Sequence, residues 1–360
     1  MPWWTRAYDF RNWRHTMTTI TPTGDNQLLG EAVAMRKIGR LERFLGPENY
    51  RILQGLFKTP AAITGTVLIV FFVLVAAFAP VLAPPLGDPY TIPRDGFKAE
   101  PKPMGAEWRS KPPPLPFWWK AVTGKEEWVH IFGTAQGQYD IYYGVIWGTR
   151  TAFRAGLIVV ISTVLIGVIV GAVSAYYGGI VDNILMRIVD VLYVLPGLMA
   201  TLILAAVLTP LYGRTTLPVM ISLIAFGWLG YARIIRADIL SVKQRDFILA
   251  AKVIGVPDSR ILFRHIIPNA IFPTLVLASL GIGDVVLSFA ALSFLGIGVE
   301  VGYADWGQVL AFARNWITSL NTYWYIIVWP GVTLVLFVLG WNLIGDALRD
   351  VLDPRLRGKV

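Results

Sequence analysis

The sequence contains no cysteine, which excludes disulfides, thiol catalysis and thiolate metal sites. Histidine is nearly as scarce, and His15, His130 and His265 stand too far apart to form a two-histidine metal motif. No stretch matches G-x-x-x-x-G-K-[ST], so the chain lacks a P-loop of its own for nucleotide phosphates. Neither a G-x-S-x-G elbow nor a paired-carboxylate arrangement is present, so no catalytic residue and no metal site is assigned. Charge is also thin: Asp, Glu, Lys and Arg make up 15% of the residues, against about 25% in soluble domains.

What fills the space is apolar. Hydrophobic residues account for 55% of the 360 positions, and the mean hydropathy is +0.57. Six runs are long enough, at ~1.5 Å per residue, to cross ~30 Å of hydrocarbon. They lie near Ala61–Leu82, Thr151–Ala175, Ile188–Leu208, Leu217–Ala232, Ile266–Ala291 and Tyr325–Ile344, the fourth short and the fifth holding Pro268 and Pro273. The expectation is an all-α polytopic membrane protein with about six transmembrane helices. The first run follows some sixty mixed residues, so it reads as a retained helix and not a cleaved signal.

The net charge of +9 would suit nucleic acid, but in a membrane chain the placement of Lys and Arg matters more than their sum. No nucleic-acid partner is expected. With both termini cytoplasmic, nine basic residues fall in 1–60, seven between Arg233 and Arg264, and four after Ile344, all inside. The short outer loops hold one each, Arg214 and Arg314. Only 83–150 departs, with eight, and long loops escape the rule.

Domain by domain, 1–60 reads as a cytoplasmic region containing an amphipathic helix, with Ala34, Ile38, Leu41 and Leu45 on one face and Arg36, Lys37, Arg40 and Arg43 elsewhere. That helix lies on the inner leaflet or against the protein's own cytoplasmic side. The first span covers 61–83, an extracytoplasmic loop 84–145, a five-helix core 146–346 and a tail 347–360. The loop is rich in proline and is expected to have little regular structure. Its Trp108, Phe117, Trp118, Trp119 and Trp128 read as aromatics resting at the membrane interface in preference to a docking surface.

Within the core, Gly167, Gly171 and Ala175 form a small-residue ridge for close helix packing, facing either this chain or a second subunit. Asp190 and Asp284 are ionisable residues inside spans and hence pathway or pairing candidates, Asp190 with Arg187 as its expected partner. Pro196 should kink the third span. In the tail, Asp346, Arg349, Asp350, Asp353 and Arg355 alternate in sign, suggesting local ion pairs.

The segment "AAKVIGVPDSRILFRHIIPN" interrupts two oily stretches with charge, Gly255 and two prolines. The pattern predicts a helix leaving the membrane at Arg233–Arg236 and stopping near Gly255, then a second helix capped by Asp258 or Ser259. Phe247, Ala250, Ala251 and Ile254 share a face suited to a groove on a partner protein. With Leu249-Ala250-Ala251, Gly255, Ile261 and Ile266-Ile267-Pro268-Asn269, the segment resembles the EAA loop of permease subunits of ATP-binding cassette importers, Leu249 replacing the usual Glu and Ile267 the usual Leu. "YYGGIVDNILMRIVDVLYVLPGL", "ALSFLGIGVEVGYADWGQVL", "LIGDALRDVLDPRL" and "RILQGLFKTPAAITG" are similar to the C-type permease of the dipeptide, oligopeptide and nickel branch. One stretch departs: the family commonly reads G-T-D-x-x-G-R-D where this chain has "GTAQGQYD".

The resemblance implies a type I importer permease fold in a bacterial or archaeal cytoplasmic membrane. It implies a second, B-type permease, two ABC ATPases carrying ATP and Mg, and an extracytoplasmic solute-binding protein as partners. No cofactor is expected on this chain itself. Phe247, Leu249, Ala250, Ala251, Gly255, Ile261 and Pro268 would couple to the ATPases. Cargo would be short peptides, with oligosaccharides or nickel chelates as alternatives. A stand-alone secondary transporter would instead need internal repeats and midplane ionisable residues.

Overall fold

The computed structural model describes residues 59–352, so the amphipathic helix expected around Ala34–Leu45 lies outside the described residues. Ten helices matter here. α1 is Pro60–Leu82 and α2 Phe117–Thr123. α3 is Ile141–Tyr177, α4 Gly179–Tyr193, α5 Gly197–Tyr212 and α6 Thr216–Lys243. α7 is Asp246–Val253, α8 Phe272–Phe294, α9 Trp306–Ala311 and α10 Tyr325–Leu352. Between the described residues, strand pairing is confined to isolated bridges such as Thr91 with Tyr303 and Arg94 with Tyr139.

Five helices, α1, α3, α6, α8 and α10, are long and apolar enough to cross a membrane. The α4–α5 pair makes a sixth span if counted as one, bent by 88° at the break. Pro196 is the N-cap of α5, so the expected kink is a full break: the proline cannot continue the ladder from α4. The chain is thus a multi-pass, all-helical membrane protein.

Each start has a local cause. Thr59 caps α1, its hydroxyl accepting from the Ala62 amide at 3.2 Å, with Pro60 at the first helical position. Asp140 caps α3 by accepting from the Tyr143 amide at 3.0 Å. α3 begins ten residues before the span expected at Thr151 and, at 37 residues, is about 55 Å long. The extra turns are held because their aromatics satisfy the free carbonyls at the end of α1. Tyr142 donates to Leu82 O at 3.0 Å, Trp147 to Ala83 O at 2.9 Å and Tyr143 to Pro84 O at 2.9 Å.

α3 packs along α6, and α10 lies against α1 and α8. The small-residue ridge serves the first of these contacts. A Cβ on Gly167 would sit 2.6 Å from Tyr231 Cβ and 2.9 Å from Trp228 O, and one on Gly171 would overlap the Ala232 carbonyl. Ala175, fully buried, continues the seam. The ridge therefore faces a helix of this chain.

The loop between α1 and α3 has little regular structure beyond α2, but most of its aromatics do not rest at the membrane interface. It folds into a cap whose core takes in Ile92, Trp119, Trp128, Val129 and Tyr139 together with Tyr142, Tyr143 and Tyr325 of the spans. Trp119 and Trp128 stack edge to face at 4.6 Å, both 5% exposed or less. Proline forbids ladders but not burial, and large aromatics bury ~150–250 Å² each wherever the chain brings them together. Only Phe117, 83% exposed, stands free of the protein as expected of an interface residue.

Charges lie under this cap. Lys102 and His130 both contact the Asp95 carboxylate, His130 Nε2 at 3.1 Å, while His130 Nδ1 lies 2.6 Å from Asp140 Oδ2. Both ring nitrogens face carboxylate oxygens, which fixes the ring between Asp95 and Asp140. Burial alone would raise the Asp95 pKa; the Lys102 amine, the Ser110 amide, His130 and the Ser110 hydroxyl together hold it well below the usual carboxylate range. The same Asp140 caps α3, which ties the cap to the longest helix.

At the other end, the ion pairs expected in the tail are not formed among the described residues: Asp346, Arg349 and Asp350 have no salt-bridge partner there. Asp353 and Arg355 lie outside the described residues.

Candidate functional site: a clamped loop and a walled cavity

The polar interruption forms an angular loop at the end opposite the cap. The single helix expected to run to Gly255 is broken in two. α6 ends at Lys243, and Arg245 takes extended angles (φ −75, ψ 146) before α7 begins. Asp246 in the first turn of α7 and Lys252 in the last complement the helix dipole.

α7 has one buried residue, Ile248, which enters a cluster with Ile235, Ile239 and Val242 of α6 and Ile261, Leu262 and Ile266 beyond the bend. Its opposite side is apolar and uncovered. Phe247 is 45% exposed, Leu249 50%, Val253 87% and Ile254 78%, with Ala250 exposed between them. At ~100° per residue these five fall on one arc of about 160°, centred away from Ile248. Ala251 lies at the edge, half-buried against the loop's own core.

The bend is built from hydrogen bonds that need a glycine. The Val256 amide donates to Ala251 O at 3.1 Å and the Gly255 amide to Lys252 O at 3.0 Å, a Schellman closure with Gly255 at φ +78. Pro257, not Asp258 or Ser259, is the N-cap of the next helical stretch. Asp258 is used otherwise: its carboxylate accepts from the Tyr176 hydroxyl at the end of α3. Lys243 adds a second tie, donating to Tyr176 O at 2.6 Å and Ala175 O at 3.2 Å.

From Ile261 to Ile266 the helix is π-wound, the Ile267 amide reaching back to Leu262 O. Pro268 explains it, since its ring displaces the carbonyl four residues earlier and removes one donor, and a wide turn absorbs the mismatch. Pro268 itself is exposed. Ile261, expected at the coupling surface, is fully buried and faces the protein's own core, where it anchors the bend.

Sequence reasoning missed Val253 and Phe263, the latter 70% exposed. Val253 follows Leu249 by four residues, so helical spacing carried the signal. Phe263 had none, because its exposure depends on the π turn.

Asp190 pairs with Arg233 across from α6 at 2.7 Å, not with Arg187 on its own helix. The break at Pro196 turns the polar side of α4 onto α6, and the Arg233 guanidinium also covers the Tyr193 ring at 4.1 Å. One rung further along, Arg236 holds Asp182 through two nitrogens at 2.5 and 2.6 Å.

Asp284 is placed differently. It lines a cavity of about 620 Å³ walled by α3, α4, α5, α6 and α8, whose mostly apolar lining includes Tyr193, Tyr231 and Ser288; Thr163 and Thr201 also line it but donate their hydroxyls to carbonyls of their own helices. It is the one charged residue in that wall.

With the loop and cavity described, the comparisons fall into place. The family described as "Binding-protein-dependent transport system inner membrane component" matches residues 163–358, which include the α7 loop and the Asp284 wall. This chain belongs to that family. A second family, "N-terminal TM domain of oligopeptide transport permease C", matches residues 50–99, covering α1. Among curated relatives of this inner membrane component is the dipeptide transport system permease protein DppC of Alkalihalophilus pseudofirmus, 31% identical over 302 residues, 84% of this chain and 88% of the relative. The probable D,D-dipeptide transport system permease protein DdpC of Escherichia coli is 32% identical over 332 residues, 92% and 99% of the two chains. The oligopeptide transport system permease protein OppC of Bacillus subtilis is 35% identical over 228 residues, 63% and 72%. These relatives are transport permeases and not enzymes. The chain is thus a permease component of a binding-protein-dependent importer.

Proposed function

We propose that this permease imports short peptides, working with a second permease, two ATPases that seat on α7, and an external solute-binding protein. The names of relatives spanning 84% and 92% of the chain support the cargo class. The observation that carries the ATPase contact is the uncovered face of Phe247, Leu249, Ala250, Val253 and Ile254 on a short helix held from behind. An apolar helix face of this kind lies into a groove on a partner. Because Leu249 stands where an acid is usual, the contact here is apolar. ATP and Mg bind on the ATPases.

The charge pattern supports an orientation with both termini and the α7 loop cytoplasmic and the cap outside. Closure of the two ATPases around ATP pushes α7. Tyr176, Asp258 and Lys243 hold α7 to α3 and α6, so the push moves helices and does not merely bend a loop.

The test is affinity capture of the tagged chain in mild detergent, with Ala250→Glu against wild type. Ala250 is the choice because Ala251 packs on the loop's own core, where a glutamate would perturb folding. Loss of the ATPases with the second permease retained is expected; full retention of the ATPases would refute the docking face.

A further inference from the structure

Asp284 lies thirteenth of the 23 residues of α8, about 18 Å along a helix of about 34 Å, and so near the middle of the membrane. It is exposed on the surface of this chain and has no hydrogen-bond or ion-pair partner among the described residues. A carboxylate at that depth is costly against hydrocarbon and so sits toward water or another protein surface.

Its surroundings choose between these two. Leu277, Gly281, Asp284 and Ser288 repeat at three- and four-residue spacing down one side of α8, and all four line the cavity. Across from them α6 presents Gly227, Gly230 and Tyr231. A volume of about 620 Å³ is in the range of small-molecule sites, ~300–1,000 Å³, and exceeds what one inserted side chain fills. The wall is mostly apolar, with Tyr193, Tyr231 and Ser288 among its polar residues, and Asp284 is its single full charge, negative. That is an environment for a hydrated solute bearing one cationic group.

We infer that Asp284 receives the protonated amine of the cargo as it passes through this cavity. The inference rests on the peptide reading above and deepens it. Peptides of differing side chains share one cationic feature, the terminal ammonium, so a lone carboxylate in an otherwise neutral wall recognises the class without selecting a sequence. Asp284 accepts a charge-assisted hydrogen bond from that ammonium, with the Tyr231 and Ser288 hydroxyls available to the neighbouring peptide groups.

The absence of cysteine makes the test direct. Ser288→Cys places one thiol in this chain one turn from Asp284. In the complete transporter in liposomes, labelling of this chain by a water-soluble maleimide is followed with dialanine or N-acetyl-dialanine present, with and without Asp284→Asn. ATP-driven dialanine uptake by the wild type is measured alongside. The expected result is that the thiol labels and that dialanine slows labelling at concentrations roughly ten- to a hundredfold lower than N-acetyl-dialanine, the range of one hydrogen bond to a charge. Asp284→Asn then removes the difference.

A thiol that never labels, together with loss of the second permease from the Asp284→Asn complex, would mean that Asp284 pairs with that permease and would overturn the inference. Equal protection by both probes, or none while dialanine uptake is intact, would overturn it and leave the peptide reading standing. Absence of dialanine uptake by the wild type would bring down the peptide reading itself.

Discussion

Gly255 offers a substitution series in which backbone strain acts alone. Its φ of +78 lies in the left-handed region, and no atom lies within 4 Å of where a Cβ would sit. Steric clash is therefore absent, and what remains is the conformational penalty, about 1–2 kcal/mol for an ordinary L-residue. That corresponds to a factor of roughly 5–30 in the population of the closed bend. Gly255→Asn should cost least, because asparagine visits this region; Gly255→Ala should fall in the range given, and Gly255→Val above it. Gly255→Pro should be worst, since it fixes φ at about −65° and deletes the amide that donates to Lys252 O.

The readout is amide hydrogen exchange across 246–262 in lipid nanodiscs, where the Ile254 and Val256 amides should lose protection by the factors above. ATP-driven uptake should follow the same order. Equal protection in Gly255→Val and Gly255→Asn would refute the reasoning, because only the strain separates them; a bulk effect at the ATPase groove would penalise both.

Four further outcomes follow from the packing and the charges. Gly167→Leu or Gly171→Leu should prise α3 from α6 and cost about 1–3 kcal/mol, lowering the Tm in detergent, whereas Ile169→Leu, on the exposed side of the same helix, should not. Asp190→Ala should change thermal stability by about 0–1 kcal/mol, since both partners of its pair with Arg233 are more than a third exposed, and Asp182→Ala should cost more because it leaves Arg236 without its two-pronged partner. Under the cap, His130→Ala should cost about 1–3 kcal/mol by removing one buried hydrogen-bond partner from each of Asp95 and Asp140, read as proteolysis within 83–140. Asp95 has a folded-state pKa below its ordinary value of 3.8, so its contribution is present above that value and is lost as pH falls through the folded pKa. Cap stability should thus decline on acidification below about pH 4 and, in Asp95→Asn, decline less.

How much of this was legible in the sequence depends on the range over which each feature is determined. Span number, the break at Pro196 and the stop at Gly255 were readable, because hydropathy, proline and left-handed glycine act over one or two turns. The cap was not. Trp128 meets Tyr142 and Tyr143, and the same core takes in Tyr325 some two hundred residues away, so composition alone read the loop's aromatics as resting at the membrane interface. Asp190 shows the same limit at shorter range: Arg187 is near in sequence, but the 88° bend delivers Arg233. At the site, helical spacing put Phe247, Ala250 and Ile254 together on the side of α7 that is uncovered, whereas Ile261 turns into the loop's own core, its direction set by the π turn ahead of Pro268.

Loop and cavity share α6. Ile235, Ile239 and Val242 on its far turns hold Ile248 of α7, while Gly227, Gly230, Tyr231 and Ile234 wall the cavity. From Ile239 back to Tyr231 is eight residues, about 12 Å of continuous helix with no proline or bulge between them. A helix of that length is stiff, and the seam at Gly167 and Gly171 leaves α6 no room to slide against α3 without moving it too. A push on α7 consequently reaches the cavity as motion of the α3–α6 pair as a body. The bent α4–α5 unit shares the cavity wall and is fastened to α6 both by an apolar contact, Val189 against Leu229 and Ala232, and by the ion pairs of Asp182 and Asp190 with Arg236 and Arg233.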